Sequence, residues 1–344
     1  MEKAIPFQYQ FSSVECYFQN SLAPLIERAG NSKVIFLTDE NLYRIYKEDL
    51  QAYPIITISP GEETKQQPTA DQVISELLKI GANRDDLLVG FGGGVVTDLA
   101  GYVASIYKRG MRLGLIPTSL LAMVDAAIGG KNGVNHGLYK NMAGTINQPS
   151  FILFNIDYLK SLPHDEWVNG FAEIIKHACI GDEAMFQLLE EHEIAYWKSH
   201  PDHLAALIER NARFKLEVTA ADEKERGIRK WLNFGHTIGH SIENRYSLPH
   251  GKAISIGMMA AAKLSVALEG LDSQFPDRLK KLLFSYALPV HFAADHNSLI
   301  ELMAADKKMT SKGIDFVLLK APGNPTIRNI SLKELTEFLK KYFQ

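Results

Sequence analysis

The chain has 344 residues, 46% of them apolar, which suffices for two domains with buried cores. A formal net charge of −3 argues against a general nucleic-acid binder, whose footprint is a basic excess, but leaves room for a local cationic pocket. The two cysteines, Cys16 and Cys179, match neither a disulfide framework nor a metal spacing, and read as reduced thiols suited to the cytoplasm.

The first residues, MEKAIPFQYQFSS, contain no apolar signal core, and no apolar run reads as membrane-spanning. "KVIFLTDEN" (33–41) predicts a buried strand ending in a turn, and "YPIITISPGEETK" (53–65) a strand followed by a loop. "TADQVISELLKIGA" (69–82) is an amphipathic helix with Val73, Ile74, Leu77 and Leu78 on its apolar side. "DDLLVGFGGG" (85–94) is a strand running into glycines, "VVTDLAGYVASIY" (95–107) a helix, and "RLGLIPTSLLA" (112–122) a strand and turn. This alternation predicts a parallel sheet covered by helices. From about 155 helical periods dominate, at 165–179, 183–193, 201–221, 233–246, 251–268, 275–285, 297–304 and 332–343, with a strand pair at 315–329. The expected organisation is an α/β domain over 1–154 and a mainly helical domain over 155–344, with a ligand in the cleft between them.

Gly90, Gly92, Gly93 and Gly94 stand between a strand and a helix, where bare backbone can approach a pyrophosphate at a helix N-terminus. The dinucleotide fingerprint is not met, because Val95 occupies the last glycine position, and a tight turn explains the glycines equally well. Asp98 falls in the first helical turn, where the dipole alone favours a carboxylate. Asp125 interrupts an apolar run and requires a partner if buried. Lys131 follows a Gly-Gly pair, and Lys140 and Asn141 follow shortly; such lysines meet anions or simply face water.

Glu173, Lys176 and His177 share one side of a helix at i, i+3 and i+4, and His236 and His240 are also four apart. The latter spacing resembles the H-E-x-x-H zinc helix, but Thr237 stands where the general-base glutamate belongs, which excludes that peptidase chemistry. His250 follows in "LPHG". Three imidazoles and Glu173 suffice for a metal site with three protein ligands and an open position, although spacing leaves open which three.

Taken together, "GGGVVTDLAG", "PTSLLAMVDAAIGGKNGVN", "KNMAG", "LPHDEWVNGFAEIIKHACI", "AADEKERGIRKWLNFGHTIGHSIE", "LPHGKAISIGM" and "DKK" resemble the 3-dehydroquinate synthase family of sugar-phosphate cyclases, over about Asp39 to Leu319. The resemblance implies an α/β dinucleotide-binding domain with a parallel sheet followed by a mostly α-helical domain. It implies conversion of 3-deoxy-D-arabino-heptulosonate 7-phosphate to 3-dehydroquinate and phosphate in the shikimate pathway. The steps are transient oxidation by NAD, phosphate elimination, reduction, ring opening and intramolecular aldol closure. It implies Glu173, His236 and His250 as ligands of a divalent metal, zinc or cobalt, with His240 facing substrate. Asp39, Glu62, Lys65, Gly93, Gly94, Val95, Asp98, Thr118, Ser119, Lys131, Lys140, Leu159 and Ser161 would serve NAD. Asp125, Lys131, Asn141, Lys176, Lys215, Arg229, Asn233 and Lys307 would line the substrate pocket, and Arg109 would reach the phosphate held by a second copy in a homodimer. Thr97, Ser119, Ala126, Ala127 and Asn132 depart from the residues usual in the family. Other readings are a metal-dependent polyol dehydrogenase, a cyclase acting on a sugar phosphate without a carboxylate, and a non-catalytic binding protein. The cationic residues for two anionic groups and the intact candidate ligands weigh against them.

Overall fold

Short apolar runs rich in branched side chains form the strands β1 (Ile5–Gln8), β2 (Ser13–Phe18), β3 (Val34–Asp39), β4 (Ile55–Ile58), β5 (Leu87–Gly92) and β6 (Arg112–Pro117). β7 (Lys131–His136), β8 (Tyr139–Ile146) and β9 (Phe151–Phe154) follow. The computed structural model describes residues 4–22, 28–137, 139–293, 309–310 and 313–342; the expected helix at 297–304 and Lys307 lie outside the described residues.

Seven strands make one sheet in the order β1-β2-β9-β6-β5-β3-β4, parallel except for the β1–β2 pair. β5 and β9 are buried at every residue, as expected of parallel strands covered on both faces. Val34, Phe36, Leu87, Val89, Phe91, Ile116, Phe151 and Leu153 meet in one core cluster, with the Phe91 and Tyr158 rings edge-on at 4.9 Å. The helices α1 (Glu40–Leu50), α2 (Gln67–Ile80) and α3 (Gly94–Ile106) connect these strands. α1 begins where the sequence predicts only a turn, because the Asp39 carboxylate caps it, accepting from the Asn41 and Leu42 amides at 2.9 and 3.0 Å. β7 and β8 pair as a separate two-stranded sheet.

The helical region comprises α4 (His164–Gly181), α5 (Glu183–Glu190), α6 (Ile194–Ser199), α7 (Pro201–Ala221), α8 (His236–Tyr246), α9 (His250–Glu269), α10 (Phe275–Ser285) and α11 (Leu332–Tyr342). β10 (Met309–Thr310), β11 (Gly313–Ala321) and β12 (Asn324–Ile330) form a small antiparallel sheet. Contacts divide the chain into one unit of 1–163 and 201–224, and another of 164–200 and 225–344. This division differs from the expected boundary at 154/155 in one main respect: α7 groups with the sheet. The reason is local bonding, since Thr219 on α7 bonds the Tyr9 hydroxyl at 2.8 Å and Lys215 pairs with Asp125 at 2.6 Å.

In the second unit Ile238 and Ile242 of α8 and Ala253, Ile256, Ala260 and Leu264 of α9 pack with Ile314, Phe316 and Leu318 of β11. α9 is long and apolar enough to cross a membrane by composition, which corrects the sequence reading; 72% of its apolar window is buried inside the protein, so it is the core helix of this unit.

Cys16 and Cys179 are both buried. Burial pushes the Cys16 thiol up to about 12, against the pull of Arg213, and also raises Cys179. A thiol-reactive dye is therefore expected to label neither cysteine in the native protein and both after denaturation; fast labelling of native protein would contradict their burial.

Candidate functional site

In the sheet-bearing unit, β4 lies on one side of β3 while β5 and β6 continue on the other, so the strand order reverses between β3 and β5. Ligands of parallel α/β sheets bind at the carboxyl ends of the strands beside such a reversal. Asp39 ends β3; Glu62 and Lys65 follow β4; Gly93, Gly94, Val95 and Asp98 follow β5; Thr118 and Ser119 follow β6; and Leu159 and Ser161 follow β9. α3 begins at Gly94 with Gly93 as its cap and no side chain bonding its first amides, an arrangement that suits an anion. A Cβ on Gly93 would lie 3.4 Å from Ser119 Oγ, so the Gly93 backbone directly faces Ser119.

Beside this edge Lys65 Nζ donates to Asp98 Oδ2 at 2.5 Å and to Asn141 Oδ1 at 2.6 Å. Burial raises the Asp98 carboxyl above its usual range, and Lys65 opposes the rise. Asp125 meets its expected need for a partner: Lys215 Nζ donates to its carboxylate and to its backbone carbonyl, both at 2.6 Å. Lys131 and Lys140 are exposed. Ser161 Oγ bonds the Tyr46 hydroxyl at 3.0 Å. Arg109 is exposed in a turn where Lys108 and Arg109 take φ of 48° and 65°.

In the second unit α4, α8 and the first residue of α9 converge. Glu173 on α4 is fully buried; its Oε1 lies 3.2 Å from His250 Nε2 and 3.6 Å from His236 Nε2. One ligand atom from each of the three lies within 4.8 Å of the others. His236 Nδ1 bonds the Phe234 carbonyl at 3.2 Å, and His250 Nδ1 bonds Glu243 Oε2 at 3.2 Å, so both rings turn Nε2 toward Glu173. Glu173 Oε2 accepts from Lys176 Nζ. Burial disfavours the charged form of His250, but the bonded Glu173 and Glu243 carboxylates outweigh it and raise His250 to about 10. The His240 ring sits 4.9 Å from that of His236 and 6.1 Å from that of His250. Arg229 is 2% exposed, and Asn233 Nδ2 donates to Glu225 Oε1 at 2.7 Å.

Two neighbours were missed in the sequence. Glu243, three residues after His240, closes the motif ending "GHTIGHSIE" but is given no role there. Asn135, inside "KNGVN", bonds both Glu62 and Asn141.

Residues 55–169 match the 3-dehydroquinate synthase N-terminal family model, and residues 170–309 match the 3-dehydroquinate synthase C-terminal one. The chain belongs to the 3-dehydroquinate synthase family. It is 37% identical over 338 residues to a 3-dehydroquinate synthase of Leptospira interrogans serogroup Icterohaemorrhagiae serovar copenhageni, covering 94% of this chain and 93% of that one. A structure of 2-epi-5-epi-valiolone synthase from Streptomyces hygroscopicus subsp. jinggangensis 5008, with NAD+ and Zn2+ bound, is 26% identical with a TM-score of 0.85 over 97% of this chain and 98% of that one. A structure of 2-deoxy-scyllo-inosose synthase complexed with carbaglucose-6-phosphate, NAD+ and Co2+ shares the fold, with a TM-score of 0.86 at 22% identity over 99% of this chain and all of that one. The chain thus has the fold of this family, with a parallel-sheet α/β N-terminal part and a helical C-terminal region.

Proposed function

We infer that the chain catalyses its family's reaction, converting 3-deoxy-D-arabino-heptulosonate 7-phosphate to 3-dehydroquinate and phosphate in the shikimate pathway. The observation that carries this reading is the buried Glu173 carboxylate facing two imidazole nitrogens, in a chain that matches the family in both halves.

Glu173, His236 and His250 fit a divalent cation. The donor set is one carboxylate oxygen and two imidazole nitrogens, it leaves a position open, and each Nδ1 already has a partner. The raised proton affinity of His250 agrees: Glu173 and Glu243 create a demand for positive charge there. Zinc or cobalt held by these residues supplies Lewis-acid polarisation of bound hydroxyls. The carboxyl edge of the sheet, with the uncapped start of α3 at Gly93 and Gly94, fits NAD, which would supply reversible hydride acceptance to a reaction with no net redox change.

The chain's own residues bind and orient the substrate. Arg229 takes the carboxylate with its two-pronged fork, and Lys131, Lys176, Lys215 and Lys307 supply point charges for a twice-anionic molecule. Asp125 holds the Lys215 ammonium in place, and Asn141, Asn233 and His240 hydrogen-bond the hydroxyls. Elimination breaks the carbon–oxygen bond to phosphate, and the departing phosphate carries off the proton of the adjacent carbon; the enzyme is accordingly a carbon–oxygen lyase. Arg109, held outward by its left-handed turn, serves a second copy of the chain, so the working form is a homodimer, and its location is the cytoplasm.

The test is phosphate release from the heptulosonate phosphate. It is expected to require NAD and a divalent metal, to leave NADH at baseline, and to fail with sedoheptulose 7-phosphate and glucose 6-phosphate. Stoichiometric NADH accumulation would instead identify a dehydrogenase. Replacing Arg229 with Lys is expected to raise KM by about 10- to 150-fold, the worth of roughly 1.5–3 kcal/mol for a charge-assisted bond. An unchanged KM would remove Arg229 from the pocket.

A further inference from the structure

We propose that Asn135 is a positioning residue that fixes the segment carrying Glu62 and Lys65 against Asn141, and so sets the affinity for NAD. The inference rests on the cofactor reading given above.

The side chain of Asn135 has one donor group and one acceptor atom, and both are used across the fold. Its Nδ2 donates to Glu62 Oε1 at 2.8 Å, and its Oδ1 accepts from the Asn141 amide at 2.9 Å. Its own backbone amide donates to the Lys65 carbonyl at 2.8 Å, and a short bridge pairs it with Gln66. One residue therefore ties the segment after β4 to the turn end of β7 through both a side-chain and a backbone bond.

The consequence falls on Asn141. Its φ of 54° lies in the left-handed region that side chains rarely adopt, and the bond from its amide to Asn135 holds it there. In that conformation Asn141 Oδ1 accepts from Lys65 Nζ, which also donates to Asp98 beside the start of α3. The order Glu62, Asn135, Asn141, Lys65, Asp98 is thus a continuous hydrogen-bonded chain. It runs from the turn after β4 to the helix after the glycine loop, and Asn135 is its only member with no charge and no direct role in the proposed binding of cofactor or substrate.

The geometry also says how Asn135 differs from a residue that merely stabilises the fold. Asn135→Asp keeps the acceptor for the Asn141 amide but sets a carboxylate against Glu62. Adding Glu62→Gln reverses the polarity of that bond and restores it, with a glutamine amide donating to an aspartate oxygen. The experiment is calorimetric titration of NAD into the metal-loaded full chain, for wild type, Asn135→Leu, Asn135→Asp, Glu62→Gln and the Asp/Gln double variant, with circular dichroism and melting recorded alongside. Asn135→Leu and Asn135→Asp are expected to weaken NAD binding by about 10-fold or more while remaining folded. The double variant is expected to bind NAD more tightly than Asn135→Asp alone, a coupling that a double-mutant cycle isolates from any direct loss at Glu62. NAD binding by Asn135→Leu within twofold of wild type, or strictly additive effects in the cycle, overturns the role of Asn135 alone. A wild-type protein that binds no NAD overturns the cofactor reading and this role with it.

Discussion

His250→Ala is expected to lose metal and activity together. The substitution removes one of the three atoms that converge on the cation position and leaves Glu173 and His236 with two ligands. Disturbing a residue that merely orients a ligand costs about 10- to 100-fold in metal affinity, so loss of a ligand itself is expected to cost at least about 100-fold. The variant keeps the bond between Lys176 and Glu173, and residue 250 opens α9 rather than lying within its packed face, so its circular dichroism should match that of wild type. Zinc content after dialysis, read by atomic emission, checks the expectation. A folded variant with one zinc per chain would refute the assignment of His250.

Gly257→Ala is expected to be as damaging from a position that carries no chemistry. α8 and α9 cross with bare backbone in contact: a Cβ on Gly257 would lie 1.9 Å from the Gly235 carbonyl oxygen and 2.8 Å from the Gly239 amide. Neither neighbour is a flexible side chain that could swing away, so the helices must separate. Gly235 precedes His236, Gly239 precedes His240, and Gly257 lies two turns along the helix that begins at His250. Separation therefore moves the imidazoles relative to one another. The expected result is a loss of about 3 kcal/mol or more in the stability of this unit, beyond ordinary overpacking because backbone is struck, together with loss of zinc. Gly270→Ala, just past the end of the same helix, is the control. There φ is 73° and the space is open, so only the left-handed strain of about 1–2 kcal/mol applies and zinc should remain bound. Equal effects of the two substitutions, in denaturant unfolding with zinc analysis, would contradict the close-approach argument.

Much of the architecture is legible in the sequence, for identifiable reasons. The buried parallel strands read as unbroken apolar runs, and helices with a 3.6-residue apolar period read as helices. What escapes is governed by contacts distant in sequence. The β7–β8 hairpin lacks β-branched regularity because Gly133 and Gly144 face each other in register, with the backbone of one against the other. α7 reads as one more helix of the helical region, because the bonds of Thr219 to Tyr9 and of Lys215 to Asp125 that tie it to the sheet-bearing unit join residues far apart in sequence. α9 reads as ordinary, although it is long and apolar enough to span a membrane, because Lys252 and Lys263 interrupt its apolar run.

At the candidate site the most conspicuous signal, His236 and His240 four residues apart, points to the wrong pair for facing Glu173. The geometry turns His236 and His250 to that carboxylate instead, because α8 and α9 pack back to back through their glycines, Gly235 and Gly239 against residues 253–258, and both rings lie beside Glu173 of α4. Residue spacing cannot express that packing, whereas the family resemblance implies the set Glu173, His236 and His250 directly. Glu243 and Asn135 escape both routes, since what marks them is a bond to a residue distant in sequence or on another turn, Glu243 to His250 and Asn135 to Glu62.

X-ray absorption at the zinc edge of the reconstituted protein tests the account most directly. The expected spectrum has two imidazole nitrogens at about 2.0–2.1 Å, one carboxylate oxygen and a light-atom ligand completing four-coordination. A spectrum with sulfur in the shell, or with fewer than two imidazoles, would contradict a centre built from Glu173, His236 and His250.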